Sequence, residues 1–302
     1  MSDLFNLEAV PLADRERVAA LIPDPRIAEG YVHRDVLGVD DFDLLDYALA
    51  EAENVMLAGP TGSSKTTVAR AYAAARGLPF ALVECSGAMD PGTVLGRTVV
   101  TDEGMPAWVD GDFTLVVRYG GVVLVDEVNM AHPRITAAFH QLLAVTRRIS
   151  IPEAGQTVKA GSETGNPVLF VAAYNPRYQG TVRMSEALSN RFAIQVDWDY
   201  DRSVEQALVP STRLLDTADG IRSLSEIRTP LSTNALMEFV RHWLALGWGF
   251  ASGLLVNRFD LSERAAVMRA LEANSAAIEA ELTEALAYDL ADEQADDAEE
   301  GE

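Results

Sequence analysis

The sequence predicts an α/β fold with a mainly parallel sheet, followed by a small helical domain. Up to about residue 200, short β-type segments alternate with longer helical patterns, which is typical of a parallel sheet with helices on both faces. Most of the β-type segments are continuously apolar and rich in valine, as strands buried on both faces are. After about Asp201 the strand signal stops and helical patterns continue alone.

Five segments of the first part are predicted to be strands. Their bounds are Asn54–Ala58, Phe80–Cys85, Val122–Asp126, Val168–Tyr174 and Phe192–Val196. Thr66–Arg76 predicts a helix that ends at Gly77, and another helix is predicted to begin near Pro133. Arg147–Ala160 predicts a hairpin whose turn lies around residues 152–155.

The second part of the chain is predicted to be helical. Ser232 is the predicted N-cap of a helix with apolar side chains at helical spacing, and Leu261–Tyr288 predicts one or two further helices. The chain therefore divides into an N-terminal extension, an α/β core, a helical domain and an acidic tail, at residues 1–30, 31–200, 201–288 and 289–302. The tail lacks aromatic residues, which predicts disorder; an acidic recognition segment is the alternative.

Composition restricts the classes of function. The net charge is −22 and no dense cluster of Lys or Arg interrupts the acidity, which argues against an extensive contact with nucleic-acid phosphates. The longest apolar run, Trp243–Val256, is too short to span a bilayer, and the N-terminus has no signal-peptide pattern. We expect a cytoplasmic protein with no membrane partner. The single cysteine, Cys85, follows apolar residues and is predicted to be a buried structural thiol.

A phosphate-binding loop is predicted between the first strand and the helix that follows it. The segment GPTGSSKT matches the pattern G-x-x-x-x-G-K-[ST], in which backbone N–H groups and a lysine bind phosphate, except that Ser64 replaces the second glycine. Only two of the 24 basic residues are lysines, and one of them, Lys65, lies in this motif. A plain Gly/Ser turn is the alternative. The predicted nucleotide-binding residues of the loop are Gly59, Pro60, Thr61, Gly62, Ser63, Ser64, Lys65, Thr66 and Thr67.

Two adjacent acids follow the third predicted strand. The segment GGVVLVDE places Asp126 and Glu127 at the carboxyl end of the sheet, where open α/β sheets bind their ligands. Asp126 can hold a magnesium ion through water, and Glu127 can polarise an attacking water molecule. A pair of solvated acids at a strand end is the alternative interpretation.

The order of several motifs resembles one family. They are GPTGSSKT, DPGTVLGR, VVLVDEVNMAHP, RRISIPEAGQTVKA, VAAYNP and EALSNRF. In this order the chain resembles the MoxR-type AAA+ ATPases of the dynein-related branch, most closely the group with the CbbQ, NorQ and gas-vesicle GvpN proteins, over residues 31–200. The resemblance implies a P-loop NTPase core with a parallel five-stranded sheet and a small all-α lid domain. It also implies an ATPase that uses ATP and Mg²⁺.

The resemblance assigns roles within the core. It gives Lys65 to the phosphates, Thr66 and Asp126 to magnesium, and Glu127 to the catalytic base. Asn175 matches sensor 1, which orients the attacking water, although a plain Asn-Pro turn is the alternative.

Arg191, in LSNRF, matches the arginine finger that reaches the nucleotide of a neighbouring subunit. A surface arginine at a helix end is the alternative. With a shared site of this kind, a monomer should be nearly inactive.

The resemblance also covers the elements that tend to face a ring pore. Asp90–Gly111 corresponds to the helix 2 insert and Arg147–Ala160 to the pre-sensor 1 hairpin. Trp108 is then either a pore contact or a buried aromatic residue.

The chain departs from the family pattern at two positions. Ser64 fits the loop if its backbone is right-handed, and it adds a cost if left-handed geometry is required. Asn234 stands where the family has a sensor 2 arginine, and Arg228 or Arg241 is the candidate substitute. A zinc site is not expected, because no pair of the four histidines has metal-ligand spacing.

Three functions remain open on the sequence. The first is an ATP-driven remodelling motor, a homo-oligomeric ring such as a hexamer, acting on a protein client through a separate von Willebrand factor A domain adaptor. The second is a nucleotide-binding assembly scaffold with weak turnover, which Ser64 and Asn234 favour. The third, a nucleic-acid-dependent ATPase, is disfavoured by the acidic charge.

Overall fold

The structure is a computed structural model that describes three ranges of the chain. These are residues 4–86, 89–176 and 184–299, with the backbone alone described for residues 289–299. The chain forms two compact units, divided between Asp199 and Tyr200. The first is Met1–Pro60 with Ser64–Asp199, and the second is Thr61–Ser63 with Tyr200–Glu302.

All described strands belong to the first unit. They are β1 (Asp35–Val36), β2 (Val39–Asp40), β3 (Val55–Ala58), β4 (Phe80–Glu84), β5 (Gly96–Val100), β6 (Pro106–Asp110), β7 (Gly121–Asp126), β8 (Arg148–Ile151), β9 (Gln156–Lys159), β10 (Val168–Tyr174) and β11 (Ile194–Asp197). Five of them form one sheet in the order β11-β3-β10-β7-β4, with every neighbouring pair parallel. The predicted parallel five-stranded sheet is therefore confirmed.

Helices follow the strands in the first unit and make up the second. They are α1 (Leu12–Ala19), α2 (Arg26–Glu29), α3 (Asp41–Ala50), α4 (Lys65–Arg76), α5 (Pro91–Leu95), α6 (Asp112–Tyr119), α7 (Pro133–Leu142), α8 (Glu186–Ser189), α9 (Arg202–Leu208), α10 (Thr212–Ser223), α11 (Thr233–Leu246), α12 (Trp248–Asn257) and α13 (Arg264–Glu299). The helix predicted after the P-loop is confirmed as α4, and Gly77 ends it with a left-handed φ of 61° that glycine adopts readily.

The sheet is buried on both faces, which explains its continuously apolar strands. One face packs on a core that includes Leu124 of β7 and Tyr72 of α4. The other face packs on a core that includes Val123 of β7, Phe113 of α6 and Phe139 of α7. Neighbouring residues of β7 thus point into different cores, as the two-residue period of a strand requires.

Two antiparallel hairpins accompany the sheet. β8 and β9 pair from Arg148↔Lys159 to Ile151↔Gln156, so the predicted hairpin and its turn at residues 152–155 are confirmed. Within the predicted helix 2 insert, α5 leads into the β5–β6 hairpin. Trp108 of β6 is partly buried, and its indole N–H donates to Asp110 Oδ1 at 2.7 Å.

The second unit has its own apolar core, formed by helices α10 to α13 around Leu215, Leu236, Phe239 and Val267. The predicted N-cap is confirmed, because the Ser232 side chain accepts a hydrogen bond from the N–H of Ala235 at the start of α11.

A buried ion pair joins three helices of this unit. The Glu205 side chain is 1% exposed, and its carboxylate accepts from the Arg222 guanidinium at 2.6 and 2.9 Å and from the Thr233 hydroxyl at 2.8 Å. Thr233 lies on α11, Arg222 on α10 and Glu205 on α9. Because a carboxylate buried without its cation is costly, Arg222 is expected to be essential for the stability of this unit.

We expect Arg222→Met to lower the free energy of unfolding of the second unit by about 3–5 kcal/mol. Arg202→Met is the control, because its ion pairs with Asp216 and Asp219 are more exposed and should contribute less than about 1 kcal/mol. Urea unfolding followed by tryptophan fluorescence measures both effects. Equal losses in the two variants would contradict this assignment.

The C-terminal helix differs from the sequence expectation. α13 extends to Glu299, through residues 289–299, which the sequence assigns to a disordered tail. Alanine, leucine and glutamate in this segment are strong helix formers, and they allow the preceding helix to continue. Over the described ranges, no helix combines the length and apolarity needed to cross a bilayer.

Candidate nucleotide-binding site

The predicted P-loop lies between β3, which ends at Ala58, and α4, which begins at Lys65. The N–H of Gly59 donates to the carbonyl of Tyr174 at 3.1 Å, which ties the start of the loop to the end of β10. The N-terminus of α4 opens from this loop, and unpaired N–H groups at a helix start favour an anion. The predicted loop thus joins the carboxyl end of β3 to the N-terminus of α4.

Lys65 folds back over the loop. Its ammonium donates to the carbonyls of Gly59 at 2.9 Å and Pro60 at 2.7 Å, and the residue is only 6% exposed. Burial lowers the pKa of Lys65, while the carboxylates of Asp126 and Glu127 oppose that shift. A partly desolvated ammonium held by loop carbonyls is well placed to bind a phosphate oxygen.

Thr66 and Asp126 meet across the two elements. The Thr66 hydroxyl donates to Asp126 Oδ2 at 2.8 Å, so the first turn of α4 is joined to the end of β7. Hydroxyl and carboxylate oxygens are the ligands that Mg²⁺ prefers. The predicted pair of magnesium ligands is therefore brought together, and the residues present fit this ion.

Glu127 follows Asp126 in a left-handed conformation, with φ 50° and ψ 46°. A non-glycine residue in this region is strained, and such strain concentrates at functional sites. Burial, reinforced by the charge of Asp126, raises the pKa of Glu127. Its carboxylate also accepts the backbone N–H of Asn175, which follows β10 and is 4% exposed. The predicted base and the predicted sensor 1 residue are thus in contact.

Arg191 lies at the opposite end of the sheet. β11 and β3 are parallel, with Ile194 beside Val55 and Asp197 beside Ala58. Arg191 precedes the amino end of β11, whereas the P-loop follows the carboxyl end of β3. The first unit therefore does not bring Arg191 to its own P-loop.

Ser64 has a left-handed backbone, with φ 69° and ψ 22°. The sequence does not determine whether this backbone is right-handed or left-handed, and the structure places it in the left-handed region that favours glycine. Ser64 thus adopts a conformation that glycine, the usual residue at this position of the motif, adopts at no steric cost.

We expect Ser64→Gly to raise the free energy of unfolding by about 1 kcal/mol, since the left-handed conformation costs roughly 1–2 kcal/mol with a Cβ and glycine flexibility returns part of that. Ser63→Gly is the control. Because Ser63 has no left-handed φ, this substitution should lower the free energy of unfolding instead. Urea denaturation of the nucleotide-free protein measures both. A loss of stability in Ser64→Gly would contradict the explanation.

Cys85 and the residues of the predicted sensor 2 region differ in their exposure to solvent. Cys85 is a buried free thiol, as predicted, and burial raises its pKa to about 12. Asn234, Arg228 and Arg241 have exposed side chains in the second unit.

A cluster that the sequence did not predict brings His33 close to two carboxylates. His33 Nδ1 lies 3.0 Å from Asp41 Oδ1 and 3.2 Å from Asp40 Oδ2. The other oxygen of each carboxylate serves the fold: Asp40 caps α3, and Asp41 accepts from Tyr31 and the N–H of Arg34. Spacing among histidines and cysteine could not reveal this cluster, because its partners are acids.

A strand–P-loop–helix unit, with Asp126 and Glu127 at the end of β7 and with β10 between β7 and β3, defines the P-loop NTPase fold. Residues 54–192 match the AAA domain of the dynein-related subfamily, and this stretch contains every predicted site residue. This match shows that the chain contains an AAA domain of the dynein-related subfamily.

Three relatives illustrate the extent of the similarity. SAOUHSC_01413 of Staphylococcus aureus is 33% identical over 186 residues, or 60% of this chain and 69% of the relative. SH1500 of Staphylococcus haemolyticus is 34% identical over 171 residues (55% and 64%), and YojN of Bacillus subtilis is 33% identical over 174 residues (56% of each chain). The chain thus spans less than two thirds of the last two, and none of these names states an activity.

Among solved structures, the chain is similar to a protein from Cytophaga hutchinsonii described as a candidate ATPase. The identity is 17%, the TM-score is 0.44, and the match covers 75% of this chain and 78% of the other.

Proposed function

We propose that this protein is a magnesium-dependent ATPase that works as a ring oligomer and remodels a protein client. One observation carries the catalytic part. The Thr66–Asp126 hydrogen bond and the contact of Glu127 with Asn175 both lie where β3, β7 and β10 end side by side. A nucleotide-binding AAA domain with this arrangement contains the groups needed to bind a triphosphate and to activate water.

Each residue has a distinct task in this proposal. Lys65 and the first amides of α4 bind the phosphate oxygens of ATP. Thr66 and Asp126 would hold magnesium, which neutralises charge on the phosphates. Glu127 accepts a proton from the attacking water, and Asn175 orients that water without adding charge.

The position of Arg191 supports the ring. A guanidinium suits the charge that spreads over the transferring phosphoryl group, but this one lies at the far end of its own sheet. It can reach a nucleotide only in a neighbouring copy. A hexamer, a protein client and a von Willebrand factor A domain adaptor complete the proposal, on the resemblance to MoxR-type ATPases.

A second candidate is an assembly scaffold that binds ATP and turns it over slowly. Its support is the left-handed Ser64, because strain in the phosphate loop can weaken the alignment of the nucleotide.

The two candidates are separated by turnover and mass measured together. A motor should show magnesium-dependent ATPase activity. The activity per chain should rise with protein concentration, in step with the formation of oligomers measured by light scattering. Lys65→Ala is the control for nucleotide binding. Oligomers that form with ATP, but hydrolyse it no faster than Lys65→Ala, would reject the motor and leave the scaffold. Stimulation by DNA or RNA at moderate salt would instead favour a nucleic-acid motor.

A further inference from the structure

The Arg191 side chain is held by its own chain. Its Nε donates to the carbonyl of His140 at 3.2 Å, and Nη1 donates to the carbonyl of Ala187. His140 lies near the C-terminus of α7, where the helix dipole favours a cation. Burial, followed by the positive charge of Arg191, lowers the pKa of His140, as expected for close neighbours. To reach another copy, the guanidinium has to leave these carbonyls.

The Arg191 backbone is held separately, by Asn54. This residue opens the first predicted strand, is 8% exposed, and donates through Nδ2 to the carbonyls of Arg191 at 2.8 Å and Leu143 at 3.2 Å. Its own carbonyl accepts the N–H of Ile194 at 3.3 Å. If the Asn54 side-chain amide were rotated by 180°, its Oδ1 would face the two carbonyl oxygens of Arg191 and Leu143. These two acceptors therefore require Nδ2 at this position.

These contacts join three segments that each lead to a functional group. β3 runs from Asn54 to the P-loop, and α7 follows Glu127 in the chain and ends next to Leu143. The third segment is the turn that carries Arg191. At the start of a strand that is buried between two cores, an apolar residue would be expected. Asn54 is polar instead, and its two N–H donors bind two backbone carbonyls.

We infer that Asn54 is a positioning residue for Arg191. It fixes the Arg191 backbone against the end of α7, so that only the side chain has to move when the guanidinium turns to a neighbouring copy. The inference rests on the proposed function, in which Arg191 acts in trans. Asn54 itself does not touch the nucleotide; it acts through Arg191.

Two nearly isosteric substitutions test the inference. Asn54→Asp and Asn54→Leu both remove the Nδ2 donors. Because a misplacement of about 1 Å can cost 10²-fold, we expect kcat to fall at least about tenfold while KM for ATP changes less than about twofold. Combination with Arg191→Ala should lower kcat no further than Arg191→Ala alone.

Asn166 provides a matched control. It is 7% exposed, and its Nδ2 donates to the carbonyls of Tyr119 at 2.9 Å and Asn6 at 3.2 Å, away from Arg191. Asn166→Asp and Asn166→Leu should lower Tm as much as the Asn54 variants do, while kcat at a temperature below the transition stays near that of wild type.

Mixing subunits separates misplacement of Arg191 from loss of folding. Asn54→Asp retains Glu127 but misplaces Arg191, whereas Glu127→Gln retains a correctly placed Arg191. A mixed oligomer contains sites with both groups intact, so turnover should recover above the average of the two variants measured alone. A merely unstable Asn54 variant would give no recovery.

The possible results are distinct. If the Asn54 variants match the Asn166 controls in kcat, or fail to recover on mixing while Arg191→Ala does recover, the role of Asn54 is rejected and the proposed function stands. If Arg191→Ala itself keeps wild-type turnover, the trans role of Arg191 is rejected, and the inference falls with it.

Discussion

Glu127→Gln is expected to lower kcat by about 10²–10⁴-fold, because it removes the carboxylate that accepts the proton of the attacking water. Nucleotide binding should survive, since Lys65, Thr66 and Asp126 are unchanged. Steady-state phosphate release measures the first effect, and titration with a fluorescent ATP analogue measures the second. Loss of binding together with turnover would show that the substitution had disrupted the site as a whole.

The raised pKa of Glu127 gives this prediction two further readouts. In wild type, kcat should fall on acidification at a pH above the ordinary glutamate value of 4.5, because the base must be ionised. The folded pKa exceeds the unfolded pKa, so the contribution of Glu127 to stability is present at low pH and is lost as the pH rises through the folded pKa. At neutral pH, Glu127→Gln should therefore raise Tm while lowering activity. A lower Tm would contradict the electrostatic cause.

Arg191→Ala is expected to lower turnover by about 10³-fold or more, the usual scale for an arginine finger. The loss should appear in kcat, because the guanidinium would stabilise the transition state rather than bound ATP. Arg213→Ala is a suitable control, as an exposed arginine in the second unit. An unchanged kcat would reject the role of arginine finger and leave Arg191 as a surface arginine at the end of a helix.

Mixing Arg191→Ala with Glu127→Gln tests whether the site is shared. Each variant keeps the group that the other lacks, so some sites of a mixed ring have both. Turnover should pass through a maximum as the ratio of the two variants changes. A monotonic dependence at every ratio would place both groups in one copy.

Much of the first unit could be predicted because its signals are local. Continuous apolar runs marked the strands of the sheet, since burial on both faces removes polar residues from them. A helix was predicted from Thr66 to Arg76, closed by Gly77, and the observed helix begins one residue earlier, at Lys65. The hairpin of β8 and β9 was predicted because its turn lies between two short β-type runs.

The candidate site was predictable in composition but not in arrangement. Lys65 and Asp126 were predicted from motifs, and parallel strands had to bring such strand ends to one edge. The backbone N–H of Asn175 donates to the Glu127 carboxylate. The sequence could not predict this contact, because it depends on the register of β7 and β10.

The sequence alone predicted the class of fold, the positions of the strands, the P-loop motif and the two acids that follow β7. These features follow from the spacing of apolar residues and from short motifs. Only the tertiary structure decided the left-handed backbone conformation of Ser64, the separation of Arg191 from its own P-loop, and the hydrogen bond from Asn54 to the Arg191 carbonyl. Each of these depends on residues distant in the chain or on a backbone angle that several residue types can adopt. Packing, rather than local preference, selects among those possibilities.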